Sequence, residues 1–149
     1  MGNLNFKALQ RSMNIKTTTN TERINYRACG KQLKPDHYHR LLKQSQVYYH
    51  PTLPLIVVKT DRNKKIKIID SIRIVELFIE YGDKYPSIVF DGKIYKVHTI
   101  VAESYAGRIL RESENIHHIN HNRYDYDFDN LIILNKKLHE EIHKLEYKA

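Results

Sequence analysis

The chain has a single cysteine, Cys29, in 149 residues, so neither a disulfide nor a cysteine cage for zinc is available to it. No basic-then-apolar segment opens it, and no apolar run approaches the ~20 residues of a membrane span. A cytoplasmic protein with no membrane association is expected. Internal repeats and low-complexity tracts are also missing. With 41% hydrophobic and 28% charged residues, the composition is that of one globular domain with a small core, with room for an extension. Acidic residues are scarce in one part only. Residues 1–70 hold 4 Asp and Glu against 14 Lys and Arg, while the remainder holds 13 against 11, within a net charge of +8. Positive charge concentrated in one half is an electrostatic footprint for nucleic acid.

Histidine is what the chain has in quantity, and five of its nine lie near the end: His117, His118, His121, His139 and His143. Imidazoles gathered so closely point to metal binding or acid–base chemistry. Their spacing sharpens this. His139 and His143 are four apart in a stretch that reads as helix, so they project from one face about one turn apart. Leu138, Ile142 and Leu145 form a separate apolar stripe on that helix, expected to face the core. His117 and His118 are neighbours in a stretch that reads as strand, where adjacent side chains point to opposite sides. Two such residues do different jobs, and one ligand with one base is the natural division.

Along the chain, a short helix is expected around Phe6–Gln10 and a polar linker over Lys16–Thr21. Residues 23–34 interleave Tyr26 with basic charge, and Pro35-Asp36 opens a helix through His37, Tyr38, His39 and Lys43. Cys29, His37 and His39 make a poor zinc site, because a second cysteine is missing. Pro51 and Pro54, after Tyr48-Tyr49-His50, mark a boundary. Leu55–Val58 and Ile66–Ile69 read as strands joined by a charged turn, whose Arg62, Lys64 and Lys65 are placed for phosphate contacts. Ser71–Glu80 reads either as a helix capped by Ser71 or as a strand. Ser87–Val97 is a hairpin turning at Asp91-Gly92, and Thr99–Tyr105 a short helix with Ile100, Val101 and Tyr105 inward, ended by Gly107.

The residues Ile116-His117-His118-Ile119-Asn120, then Asp129-Asn130-Leu131, then His139 and His143 resemble the HNH endonuclease family. That family is built on a ββα-metal module: a His-His strand, a loop, a strand opening Asn-Leu, and a helix with the last histidine. The offsets agree, 12 from His118 to Asn130 and 9 from Asn130 to His139. Two histidines four apart at the end are similar to those of colicin-type members. Val97-His98-Thr99-Ile100-Val101-Ala102-Glu103-Ser104-Tyr105 looks like the V-H-R-L-V-A-x-x-F segment of phage members. The resemblance implies an α+β fold. A basic DNA-contacting region would span residues 1–52, and a nuclease domain residues 53–149, with upstream β-hairpins and the ββα core at about 113–147.

Phosphodiester cleavage needs an activated nucleophile, neutralised phosphate charge and help for the leaving oxygen, and one divalent ion can supply the last two. His117 and His139 are the expected ligands, completed by His143. His118 is the expected general base, with a pKa naturally near neutrality. Asn130, as the family's central Asn, is expected to accept a hydrogen bond from the His118 ring and fix its tautomer. Lys136 and Lys137 open the last helix, where the macrodipole disfavours positive charge, and phosphate contact would explain them.

Two departures from the family stand out. The loop after His118 usually runs Asp-Gly-Asn, and here runs Asn120-His121-Asn122, which makes His121 a further possible ligand. Relatives with Asp and Asn ligands accept magnesium, whereas imidazoles favour zinc, nickel or cobalt, with manganese also accommodated. The resemblance implies a phage homing-type nuclease on double-stranded DNA, leaving 5′-phosphate and 3′-hydroxyl ends. A monomer would nick and a homodimer could cut both strands. Two other readings compete. His139-Glu140-Glu141-Ile142-His143 also spells the H-E-x-x-H of zinc metalloproteases, with Glu140 as base, but the chain ends at Ala149 before their usual third ligand. A non-catalytic DNA-binding protein on the same fold is the other.

Overall fold

The computed structural model describes residues 30–82 and 84–148, with side chains as far as residue 145. The helix expected at Phe6–Gln10, the linker at Lys16–Thr21 and Cys29 lie outside the described residues. Three small antiparallel sheets carry the rest. The largest has the order β1-β5-β4-β3-β2, built from Lys31–Gln32, Val75–Glu76, Ile66–Asp70, Leu55–Thr60 and Ser45–Tyr49. The second has the order β6-β7-β8 (Glu80–Tyr81, Pro86–Phe90, Lys93–Lys96), and the third is the ribbon of β9 (Glu114–His118) with β10 (Leu131–Asn135).

The apolar runs at 55–58 and 66–69 lack clean alternation because both faces of their strands are covered. Leu55, Val57, Ile66 and Ile68 face one core, together with Ile88, Val97, Ile100, Val101 and Phe128. Ile56, Val58 and Ile69 face a smaller one with Leu33, against which Tyr38, Leu41 and Leu42 of α1 (Pro35–Lys43) pack. Helix α1 starts where expected, with proline in its first turn, Asp36 near its positive end and Arg40 and Lys43 near its negative end. Strands β2 and β3 pair from Ser45 opposite Thr60 to Tyr49 opposite Ile56. The division expected at residue 52 therefore falls within a hairpin.

Residues 71–80 resolve toward strand. Asp70 takes the role expected of Ser71, accepting from the backbone N–H of Ile72 and Arg73 in a turn that sets Ile74 at φ 55°. β5 and β6 follow. The Asp91-Gly92 turn has both residues at positive φ (52° and 75°), the geometry that matches the twist of a two-residue hairpin.

Helix α2 (Val97–Ala106) is the hub. Val97, His98 and Ile100 through Ser104 are all buried, and it touches strands of all three sheets. Gly107, at φ 74°, ends it as expected. Tyr105 does not point inward: it is 54% exposed, because the inward side is filled by Val97, Ile100 and Val101. Its ring instead lies on the flank, stacked on Phe128 at 4.7 Å.

A buried polar network locks α2 to β2. The backbone N–H groups of Thr52 and Leu53 both donate to His50 Nδ1, so the proton of the neutral ring sits on Nε2. That Nε2–H donates to Glu103 Oε1 at 2.8 Å, and Glu103 Oε2 accepts from the Leu110 N–H at 3.0 Å. Glu103→Ala would leave one buried and one part-buried donor without acceptors. A destabilisation of about 2–4 kcal/mol is expected in urea denaturation; a loss under about 0.5 kcal/mol would contradict this role.

Candidate metal centre and active site

The site is assembled on the β9–β10 ribbon and the helix that follows, α3 (Lys136–Lys148). β9 is anchored at its start: Arg108, just beyond α2, grips Glu114 with both guanidinium nitrogens, at 2.7 and 2.9 Å. That fork, with the Arg111 N–H, holds the Glu114 carboxyl down at about 2. The register then sets His117 opposite Ile132 and His118 opposite Leu131. The two histidines, both buried, enter different surroundings, as strand alternation requires.

His117 meets the helix. Its Nδ1 lies 3.2 Å from His139 Nε2, and His143 Nε2 lies 2.8 Å from that same nitrogen. One ligand atom from each of the three falls within 4.8 Å of the others. Nitrogens around a tetrahedral ion at ~2.0–2.1 Å lie about 3.3 Å apart, close to these separations. A ring nitrogen also has one in-plane direction for a partner, and His139 Nε2 is approached by two neighbours. A cation at the common point satisfies all three at once. The donor set therefore fits one divalent metal ion, and its all-nitrogen chemistry suits the zinc or nickel end of the series better than magnesium. Glu140, the base of the protease reading, is on the exposed face of α3.

The apolar stripe expected on α3 is not a core face. Leu138 is 47% and Leu145 68% exposed, because a two-stranded ribbon is too narrow to cover the helix. Ile142, between them, is half-buried, and α3 meets β9 through imidazoles: ring centroids of His117 lie 5.2 Å from His139 and 5.1 Å from His143.

His118 enters an aromatic pocket. Tyr85 stacks on its ring at 6.1 Å, and His98 of α2 meets it edge-on at 5.0 Å. Lys96 and Arg123 both lie over the Tyr85 ring, at 4.8 and 5.9 Å. His118 Nε2 is sealed from solvent with no protein partner, and so is His98 Nδ1. Burial lowers the His118 pKa, with the charges of His117 and Arg123 adding to it and Asp125 opposing. His98, which resemblance placed in the V-H segment without a role, is thus a wall of this pocket. Tyr85, Lys96 and Arg123 carry no sequence signal, since only folding brings them there.

Asn130 is buried but does not serve the His118 ring as expected. Its Oδ1 accepts from the Asn120 N–H at 2.9 Å, and its Nδ2 donates to Asn120 Oδ1 and the Asp125 carbonyl. Three hydrogen bonds of the amide pin the loop between the strands, and none of them goes to the His118 ring, so it positions the end of β9. The missing loop glycine has a visible consequence: His121 takes the left-handed backbone itself, at φ 62°.

The basic residues are placed apart from one another in the chain. Lys136 and Lys137 are exposed at the start of α3, where Asn135 Oδ1 caps the Lys137 N–H. Arg62, Lys64 and Lys65 are exposed in the β3–β4 turn, and Lys64 lines a cleft with Lys59, Asp127, Phe128 and Asp129. Lys59 was not singled out by the sequence. Its ammonium binds Asp127 at 3.0 Å and Asp129 at 3.1 Å. Burial disfavours its charge, but these two carboxylates outweigh that and raise its pKa.

His98 makes the pocket sensitive to acid. Burial, then the positive charge of His118 and Lys96, depress its pKa to about 4. Unfolded, the imidazole takes a proton near ~6.5. Between these values the unfolded chain binds more protons, so stability is full above the higher one and is lost as pH falls toward the lower. The loss is on the order of 3 kcal/mol. In metal-free protein, His98→Gln is expected to flatten the fall in stability over this window; parallel curves for the two proteins would contradict it.

Residues 95–140, from the end of β8 into α3, match the family model described as HNH endonuclease. Comparison with curated proteins and with solved structures gave no match. The matched segment holds His98, His117, His118, Asn130 and His139, and stops before His143. Through residues 95–140, about a third of its length, the chain is similar to the HNH endonuclease family.

Proposed function

We propose that this protein is a metal-dependent DNA endonuclease, of the homing type found in phages, acting on double-stranded DNA in the cytoplasm of a host cell. The observation that carries the proposal is the division on β9: His117 joins the three-nitrogen cluster, while its neighbour His118 enters a separate buried pocket. His117, His139 and His143 would hold one divalent ion, which when bound would neutralise charge developing in phosphodiester cleavage. His118 withdraws the proton from the attacking water. Its lowered pKa keeps the ring neutral near physiological pH, the state in which an imidazole accepts a proton. Asn130 acts indirectly, by fixing the loop that ends the histidine strand.

Lys136 and Lys137 stand within the turn preceding His139, close enough along the helix for a phosphate near the ion to reach them. Arg62, Lys64 and Lys65 track the backbone further out, and the salt dependence of binding would report how many such contacts form. One active site per chain cuts one strand, so a monomer nicks and a homodimer cuts both. The products carry 5′-phosphate and 3′-hydroxyl ends.

Plasmid cleavage by wild type and His118→Ala, each with Mg²⁺, Mn²⁺, Ni²⁺ or Zn²⁺ and with EDTA, tests this. Wild type is expected to convert supercoiled plasmid in a metal-dependent way abolished by EDTA. The variant is expected to be slower by about 10²-fold or more, the usual worth of a positioned base. Equal rates would remove His118 from the chemistry. DNA binding without cutting in any metal would favour the non-catalytic reading.

A further inference from the structure

The loop that departs from the family pattern places one more imidazole beside the triad. His121 lies between β9 and the 3₁₀ turn at Phe128–Asn130, and its ring centroid is 5.6 Å from His117 and 6.3 Å from His143. Within the triad the corresponding separations are 5.2, 5.1 and 4.4 Å. The fourth ring therefore stands at nearly the spacing from His117 that the accepted three keep among themselves. It meets His117 at an interplanar angle of 86° and His143 at 52°.

The backbone holds His121 there at a cost. A left-handed conformation is disfavoured for a residue with a Cβ, and such strain persists only where the surroundings over-determine it. Here they do. The His121 N–H donates to the His118 carbonyl at 3.0 Å, and Asn120 before it is tied by Asn130, Asp125 and the Asn122 N–H. The loop is built to hold position 121 at this place, and the residue placed there is a metal-binding one.

We propose that His121 is a fourth protein ligand of the ion held by His117, His139 and His143, which rests on that triad binding an ion as argued above. The resting site is then a closed four-imidazole centre, and substrate enters by displacing His121, the one ligand carried on a loop rather than a strand or helix.

The test uses the full chain and the metal alone. Co²⁺ absorption reports coordination geometry, and Zn²⁺ affinity follows from competition with a chromophoric chelator. Wild type is expected to give the intense visible bands of a tetrahedral, all-protein site. His121→Gly, which relieves the backbone strain, and His121→Asn, which tolerates it, are expected to weaken those bands as water enters. Both should lower Zn²⁺ affinity by at least about tenfold. His139→Ala is expected to lose binding far more severely. Unchanged bands and affinity in both His121 variants, with binding still lost in His139→Ala, would overturn the fourth ligand and leave the triad standing. No Zn²⁺ binding by wild type would overturn both.

Discussion

The antiparallel pairing of β9 with β10 is the constraint on which the site depends. A strand has period two, so fixing its register fixes which of two adjacent imidazoles faces the helix and which faces the aromatic pocket. A slip of one residue would exchange His117 and His118. Several contacts guard against it: the Arg108 fork on Glu114 at one end of the strand, and the Asn130–Asn120 hydrogen bonds at the other. The helix meets the ribbon through its histidines, with Ile142 half-buried beside them.

Behind the ribbon stands a scaffold that keeps these distances. α2 is buried on most of its surface, and it delivers His98 to the His118 pocket from one part and Glu103 to His50 from another. Lys59 on β3 reaches across to Asp127 and Asp129, tying the five-stranded sheet to the 3₁₀ turn that precedes β10. Polar groups in such places are favourable only when every donor finds its acceptor, and the His50–Glu103–Leu110 set meets that condition. The exceptions are informative. Among the described residues these are Ser45 Oγ, Ser104 Oγ, His98 Nδ1 and His118 Nε2, and the last two belong to rings in edge contact within the segment that matches the nuclease family model.

Much of this was legible in the sequence, for identifiable reasons. Histidines four apart declare a helix face, adjacent ones in a β-branched run declare opposite strand faces, and Asp91-Gly92 declares a hairpin. These are local rules, and the structure obeys them. What was not legible depends on tertiary context. Asn130 reads as a partner for His118 by analogy, but its amide faces the loop, which no spacing reveals. Leu138 and Leu145 have the period of a buried stripe, yet the ribbon beneath them has only two strands. The prolines at 51 and 54 signal a break and instead mark the turn of a hairpin, because β2 needs β3 as its partner. Tyr85, Lys96 and Arg123 converge on the His118 pocket from separate parts of the chain.

The separation of roles between neighbouring histidines is the centre of the account, and metal binding measured apart from catalysis tests it most directly. Isothermal titration of Zn²⁺ or Ni²⁺ into wild type, His117→Ala and His118→Ala compares the two faces of one strand. The expected result is one ion per wild-type chain, binding weakened by about a hundredfold or more in His117→Ala, and binding close to wild type in His118→Ala. Equal losses in both variants would contradict the division, and so would a loss confined to His118→Ala.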